Sequence, residues 1–141
     1  MVDPEEHARR EAVMALTELG WSTGNPAYRH IFSRTFMRDA TADILAWFDE
    51  SQRETTSPRN AARFQDAFGH IDVRDRLGQV NAPTLVVHSK YDERIPLSMG
   101  RDLASGIPGA QFVPLESRNH VLVGDEPAWS DCCAAISEIL A

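Results

Sequence analysis

The pattern of apolar and polar positions divides the chain into two differently built parts. As far as about Asp75 the apolar residues recur three and four positions apart, the period of helices that bury one stripe. Ala8, Ala12, Val13, Leu16 and Leu19 form the first stripe. It is bracketed by Asp3 as N-cap, Pro4 at the first helical position, Glu6 as the return partner of a capping box and Gly20 past the end. A second helix is predicted from Pro26 through Tyr28, Ile31, Phe32 and Phe36, and a third from Thr41 with Ile44, Leu45, Trp47 and Phe48. A fourth follows Ser57-Pro58, with Ala61, Phe64, Ala67 and Phe68 turned inward. The aromatics Trp21, Phe32, Phe36, Trp47 and Phe48 suit either helical core or the wall of an acyl pocket, and their helical spacing favours core.

After Asn81 the pattern changes. Two short apolar runs, Pro83-Thr84-Leu85-Val86-Val87-His88 and Gln111-Phe112-Val113-Pro114-Leu115, read as strands separated by a helix that Pro96 opens. A last helix carries Trp129, Cys132, Cys133, Ile136, Ile139 and Leu140 on its apolar side, with Trp129 packing it onto the sheet. Strand, helix, strand, helix predicts two adjacent parallel strands. The boundary lies near Gly78, giving a helical segment over 1–78 and a β-α-β-α segment over 79–141. Two parallel strands leave both sheet edges open, so the missing strands are expected from residues outside this chain or from another copy of it.

The ends of the two strands carry the candidate chemistry. The first empties into Ser89-Lys90-Tyr91-Asp92-Glu93-Arg94 and the second into Glu116-Ser117-Arg118-Asn119-His120. Asp92 and His120 therefore stand at the same edge of a parallel sheet, where ligands and catalytic groups collect. A carboxylate there fixes the tautomer of an imidazole, which then takes the proton of a hydroxyl too weakly acidic to attack unaided. Alone, Asp92 is an ordinary turn former and His120 a backbone-bonded loop histidine; their joint placement favours the relay. Glu93 and Asp125 are the nearest rival acids, and Asp102 lies inside the intervening helix. None occupies the strand end as well as Asp92.

A nucleophile is harder to find. Gly20-Trp21-Ser22-Thr23-Gly24 satisfies G-x-S-x-G, and Ser22, Asp92 and His120 follow in the order of a Ser-Asp-His triad. The context opposes it. A charged, capped helix precedes Ser22 in place of a buried strand, and Pro26 begins the next helix without a run of small residues. A helix-to-helix linker is the reading favoured there.

Ala82 to Pro96 is similar to the penultimate strand and acid loop of the α/β-hydrolase family. Arg118-Asn119-His120-Val121-Leu122, followed by Glu126-Pro127-Ala128-Trp129, resembles that family's His loop and final helix. The earlier helices look like its cap domain. Asn25-Pro26-Ala27-Tyr28-Arg29 and Ser57-Pro58-Arg59-Asn60-Ala61 resemble a bacterial branch often fused to signalling outputs such as nucleotide-cyclase or helix-turn-helix regulatory domains. The resemblance implies a partial α/β-hydrolase fold, a helical cap segment followed by the last two parallel strands and their helices. It also implies Asp92 as relay acid, His120 as general base and a nucleophile upstream of Met1. The function implied is serine-type cleavage of an ester, lactone or related acyl bond in a small apolar substrate. The alternatives are a non-catalytic module sensing a small apolar ligand for a signalling or transcription regulator, and a fragment that folds only by pairing with another chain.

Composition narrows the partners. Of 141 residues, 43% are apolar and 25% charged, ordinary for a globular domain, and the net charge of −7 argues against a nucleic-acid surface. Arg29, His30, Arg34 and Arg38 accordingly read as a solvated helix face. No apolar run approaches the ~20 residues that span a bilayer, and the acidic start lacks the features of a signal peptide, so a cytoplasmic location is expected. The two cysteines are adjacent and helically spaced among apolar residues, which predicts small core groups. No Cys or His pair has ligand spacing, and neither metal nor cofactor is expected. A homo-oligomer, or pairing with a missing N-terminal half, is expected from the open sheet.

Overall fold

Thr41 and Ser57 start helices where the sequence places them, because each hydroxyl accepts a backbone N–H that the first turn leaves unpaired. Thr41 accepts from Ile44 at 3.4 Å and Ser57 from Asn60 at 3.3 Å, with Pro58 opening the helix beyond. The computed structural model describes residues 4–21, 23 and 27–141. Asp3, Ser22, Asn25 and Pro26, to which the sequence assigns a cap, a candidate nucleophile and a helix start, lie outside them. The N-terminal helices are α1 (Pro4–Gly20), α2 (Ala27–Phe36), α3 (Ala42–Thr55) and α4 (Pro58–Phe68). By its contacts the chain forms two units, one of residues up to Ser33 with Thr41–Ile71, the other of Arg34–Ala40 with Asp72–Ala141.

The helical unit is built on polar contacts more than on the predicted stripes. Val13, Leu16 and Leu19 of α1 are exposed, as are Phe64 and Phe68 of α4, which stack on each other. Inside are Leu45, Trp21, Ala61 and Ala62, together with Thr17, Arg29, Ser33 and Asp49. The Thr17 hydroxyl spends its proton on the Val13 carbonyl at 2.8 Å, so Tyr28 Oη at 2.5 Å and Gln65 Nε2 at 3.0 Å donate to it. Arg29, read from sequence as part of a solvated face, is buried and donates to the carbonyls of Trp21 and Thr23, both at 2.9 Å. Ser33 donates to Asp49 and accepts from Gln52 at 2.9 Å. Because α1 meets α4 through small side chains and a threonine-glutamine bond, the large apolar groups are left on the outside. Trp47, a candidate for core or pocket, is 68% exposed.

The second unit holds a 3-10 turn (Arg74–Gln79), β1 (Leu85–Ser89), α5 (Leu97–Gly106), β2 (Gln111–Leu115) and α6 (Pro127–Leu140). The strands pair in parallel, Leu85 opposite Gln111 and Ser89 opposite Leu115. Bonds from Gln111 N to Thr84 O at 2.9 Å and from Lys90 N to Leu115 O at 2.8 Å show that Gln111 and Leu115 face β1. Strand alternation then turns Phe112 and Pro114 outward. Proline lacks the N–H that a further strand would need there, so β2 is an edge by its own chemistry. The other side of β1 has no strand on it among the described residues.

Helix α5 lies against β1 at Gly100. A Cβ at that position would come within 2.5 Å of the His88 ring, so the approach requires glycine. Gly109, at φ 71°, makes the left-handed turn that returns the chain to β2. Helix α6 departs from expectation: only Ala128 is buried, Cys132 is half-buried, and Trp129, Cys133, Ile136 and Leu140 are exposed. Two strands are too narrow a platform to cover it. Among the described residues no helix is long and apolar enough to cross a membrane.

Gly100→Ala is expected to destabilise the chain by about 1–3 kcal/mol through overpacking against His88, read as a lowered urea midpoint. An unchanged midpoint would show that the helix and strand separate freely.

Candidate active site

Parallel pairing continues past the strands and binds their loops together, since Tyr91 N donates to Ser117 O at 3.0 Å. The acid loop is shaped by its own aspartate. Asp92 Oδ1 accepts the backbone N–H of Arg94 at 2.8 Å and of Ile95 at 3.1 Å, the local turn that aspartate favours. Its other oxygen, Oδ2, is thereby aimed at His120 and lies 2.7 Å from Nδ1. The sequence spacing of 28 residues closes to one hydrogen bond.

The Asp92 side chain is 3% exposed and that of His120 27%. Burial works against charge on Asp92, but the hydrogen bond from His120 and the N–H groups of Ile95 and Arg94 outweigh it, and the pKa lies below the ordinary value. An ionised Asp92 accepts, so Nδ1 carries a proton, and in the tautomer this selects Nε2 offers the lone pair. Phe36 sets the ring from the side, edge-on at 5.7 Å between centroids, and its carbonyl accepts from Val121 N at 2.9 Å. Arg94 lies over the other part of this contact, 3.9 Å from the Phe36 ring centre, and donates to Thr35 Oγ1 at 2.8 Å.

A cavity of about 200 Å³ opens beside the pair, lined by Val87, His88, Leu115, His120, Leu122 and Cys132 among others. Its hydroxyl and thiol groups are poor nucleophiles. Ser89 Oγ donates to the carbonyl of Asn119 at 2.5 Å, and burial pushes the Cys132 thiol pKa upward, away from thiolate. Ser22 lies outside the described residues. Of the rival acids, Glu93 is exposed and pairs with Arg38, Asp125 lines a separate cleft with Tyr91, Glu116 and Arg118, and Asp102 is exposed on α5.

Sequence reasoning missed the polar network behind the histidine. Ser117 and Asn119 are buried, and both bond to Glu126. The sequence holds only a weak hint, a glutamate before Pro127 at a position that favours Ser, Thr, Asp or Asn, and in the structure Glu126 makes no cap bond there.

No family model matches the chain. It is 39% identical over 59 residues to the non-heme chloroperoxidase CPO-A1 of Kitasatospora aureofaciens, a match covering 41% of this chain and 22% of that protein. It is 45% identical over 41 residues to a 2-hydroxy-6-oxononadienedioate/2-hydroxy-6-oxononatrienedioate hydrolase of Cupriavidus pinatubonensis, covering 29% of this chain and 14% of the relative. The structure superposes on an esterase from Exiguobacterium antarcticum with a TM-score of 0.79 at 19% identity, over 95% of this chain and 48% of the esterase. The chain thus has a partial α/β-hydrolase fold and spans about half the length of the esterase it superposes on.

The depressed pKa of Asp92 has a thermodynamic consequence. Its contribution to stability is present above the ordinary carboxylate range, near pH 4, and is lost as pH falls through the lowered native value. Asp92→Asn is therefore expected to be less stable than the parent at pH 7, with the difference closing below about pH 4. Urea midpoints across that range measure it, and a difference independent of pH would contradict the ionised pairing.

Proposed function

We propose that this chain supplies the acid and the general base of a serine-type α/β hydrolase that cleaves an ester, lactone or related acyl bond in a small apolar substrate. The observation that carries the reading is the single bond between Asp92 Oδ2 and His120 Nδ1. In this arrangement Nε2 takes the proton of an attacking hydroxyl and returns it to the leaving group, while Asp92 stabilises the imidazolium formed between. The nucleophile and the oxyanion donors come from outside this chain, on strands that add to the free edge of β1. Half-length coverage of the esterase, and hydrolases among the relatives, support that division.

On its own the chain is expected not to turn over short-chain aryl esters, because oxyanion stabilisation and a placed nucleophile supply most of the rate. Activity that Ser22→Ala abolishes would instead make Ser22 the nucleophile. In the protein joined to an N-terminal hydrolase half-sheet, Asp92→Asn is expected to lower kcat by on the order of a thousandfold or more with KM nearly unchanged, since the amide favours the wrong tautomer. His120→Ala should cost about as much, and the double variant little more, because the two groups act as one unit. Loss of turnover on Asp125→Asn with Asp92→Asn near normal would reassign the acid. Altered ligand binding without any effect on turnover would favour the sensing module.

A further inference from the structure

His120 stands in an irregular segment between Leu115 and Pro127, without the backbone ladder that holds a helix or strand. Something other than regular structure must therefore keep its imidazole on Asp92. The carboxylate of Glu126 is bonded to both flanks of the histidine. Oε1 accepts from Asn119 Nδ2 at 3.1 Å, one residue before it, and from Val123 N at 2.7 Å, three residues after it. Oε2 accepts from Ser117 Oγ at 2.6 Å, three residues before it. Three donors converge on one side chain, and bonds to an ionised acceptor are about twice as strong as neutral ones.

The donors are themselves held in one orientation. Ser117 Oγ gives its proton to Glu126 and so accepts from Asn119 N, at 3.0 Å. Asn119 Oδ1 accepts from Asp39 N at 2.9 Å, which leaves the amide nitrogen to face Glu126. The carbonyl of Asn119, in the peptide bond to His120, accepts from Ser89 Oγ at 2.5 Å. Ser89 ends β1 three residues before Asp92, so the same network references the histidine to the acid's own loop. Asn119 is 2% exposed and Ser117 4%, and both line, with Glu126, the cleft that holds Asp125.

We infer that Glu126 is a positioning residue for the relay: its carboxylate closes the loop around His120 and keeps Nδ1 on Asp92, without touching a reacting atom. The inference rests on the proposed relay and extends it to a third carboxylate. Removing the acceptor takes from Ser117, Asn119 and Val123 the one protein group that holds them together. They then re-pair by moving the peptide that carries the imidazole.

The test reads the imidazole directly in the full chain, with no need for turnover. With 15N-labelled histidine, long-range proton–nitrogen spectra distinguish the tautomers, and a low-field Nδ1 proton protected from exchange marks the bond to Asp92. The parent chain is expected to show His120 in the Nδ1–H form with that proton visible. Glu126→Ala is expected to lose the low-field signal and give the mixed tautomers of an unconstrained ring, while circular dichroism keeps its helix content. Glu126→Gln, which restores an oxygen acceptor for Val123 and Asn119, is expected to recover the signal. Should Glu126→Ala fail to fold, Ser117→Ala removes one of the three bonds, and a weakened, faster-exchanging Nδ1 proton is expected. A lower unfolding midpoint with the Nδ1–H signal intact in both alanine variants would overturn the positioning role and leave Glu126 a stabilising residue only. Absence of the Nδ1–H form in the parent chain would instead overturn the relay itself, and the inference with it.

Discussion

The parallel pairing of Leu85–Ser89 with Gln111–Leu115 is the constraint on which the candidate site depends. Parallel strands bring equivalent ends to one edge, so the loops leaving Ser89 and Leu115 start side by side whatever their sequences. Pairing then runs on through Lys90 and Tyr91 to Leu115 and Ser117, which extends the shared frame into both loops. Only short-range chemistry is left for the side chains. Asp92 folds its own turn on Arg94 and Ile95, and the loop behind His120 is held by Glu126, Ser117 and Asn119.

Legibility in the sequence followed the range of the interactions. The strands, the cap residues Thr41 and Ser57, and the loop positions of Asp92 and His120 could be read because each depends on neighbours a few residues away. The core of the helical unit could not. Periodicity says which residues share a helix face, but not which face another helix will meet, and Leu16, Leu19, Phe64 and Phe68 share faces that point outward. What lies inward is decided by pairs far apart in the chain, such as Thr17 with Gln65, 48 residues on, or Trp21 Nε1 with the Thr56 carbonyl, 35 residues on. Glu126 was hidden for a related reason. At the head of a helix, a glutamate reads as a partner for its own first turn, whereas its side chain is turned back to the loop before it.

The exposed apolar groups of the second unit form a consistent set with its open sheet. Trp129, Ile136 and Leu140 of α6 remain accessible, and among the described residues β1 carries no strand on the side away from β2. A proline on the outer side of β2 removes the N–H that a further strand would need there. A two-stranded parallel sheet is rarely stable by itself, because both of its faces and one of its edges ask for cover.

On the proposed reading, the division of labour between such halves is also a division of chemistry. The groups found here move and stabilise charge: an ionised Asp92, His120 bonded to it through Nδ1, and the carboxylate of Glu126 behind the ring's loop. None of them forms a bond to an acyl carbon. The thiol nearest to them, Cys132, is kept protonated by burial, and the serine hydroxyls beside the loop are committed to Asn119 and Glu126. An imidazole with its tautomer set in advance costs no reorganisation when a nucleophile arrives. A serine without this pair keeps its proton at neutral pH. On this reading preorganisation of the relay is a property of these residues, and reactivity would depend on what is added beside β1.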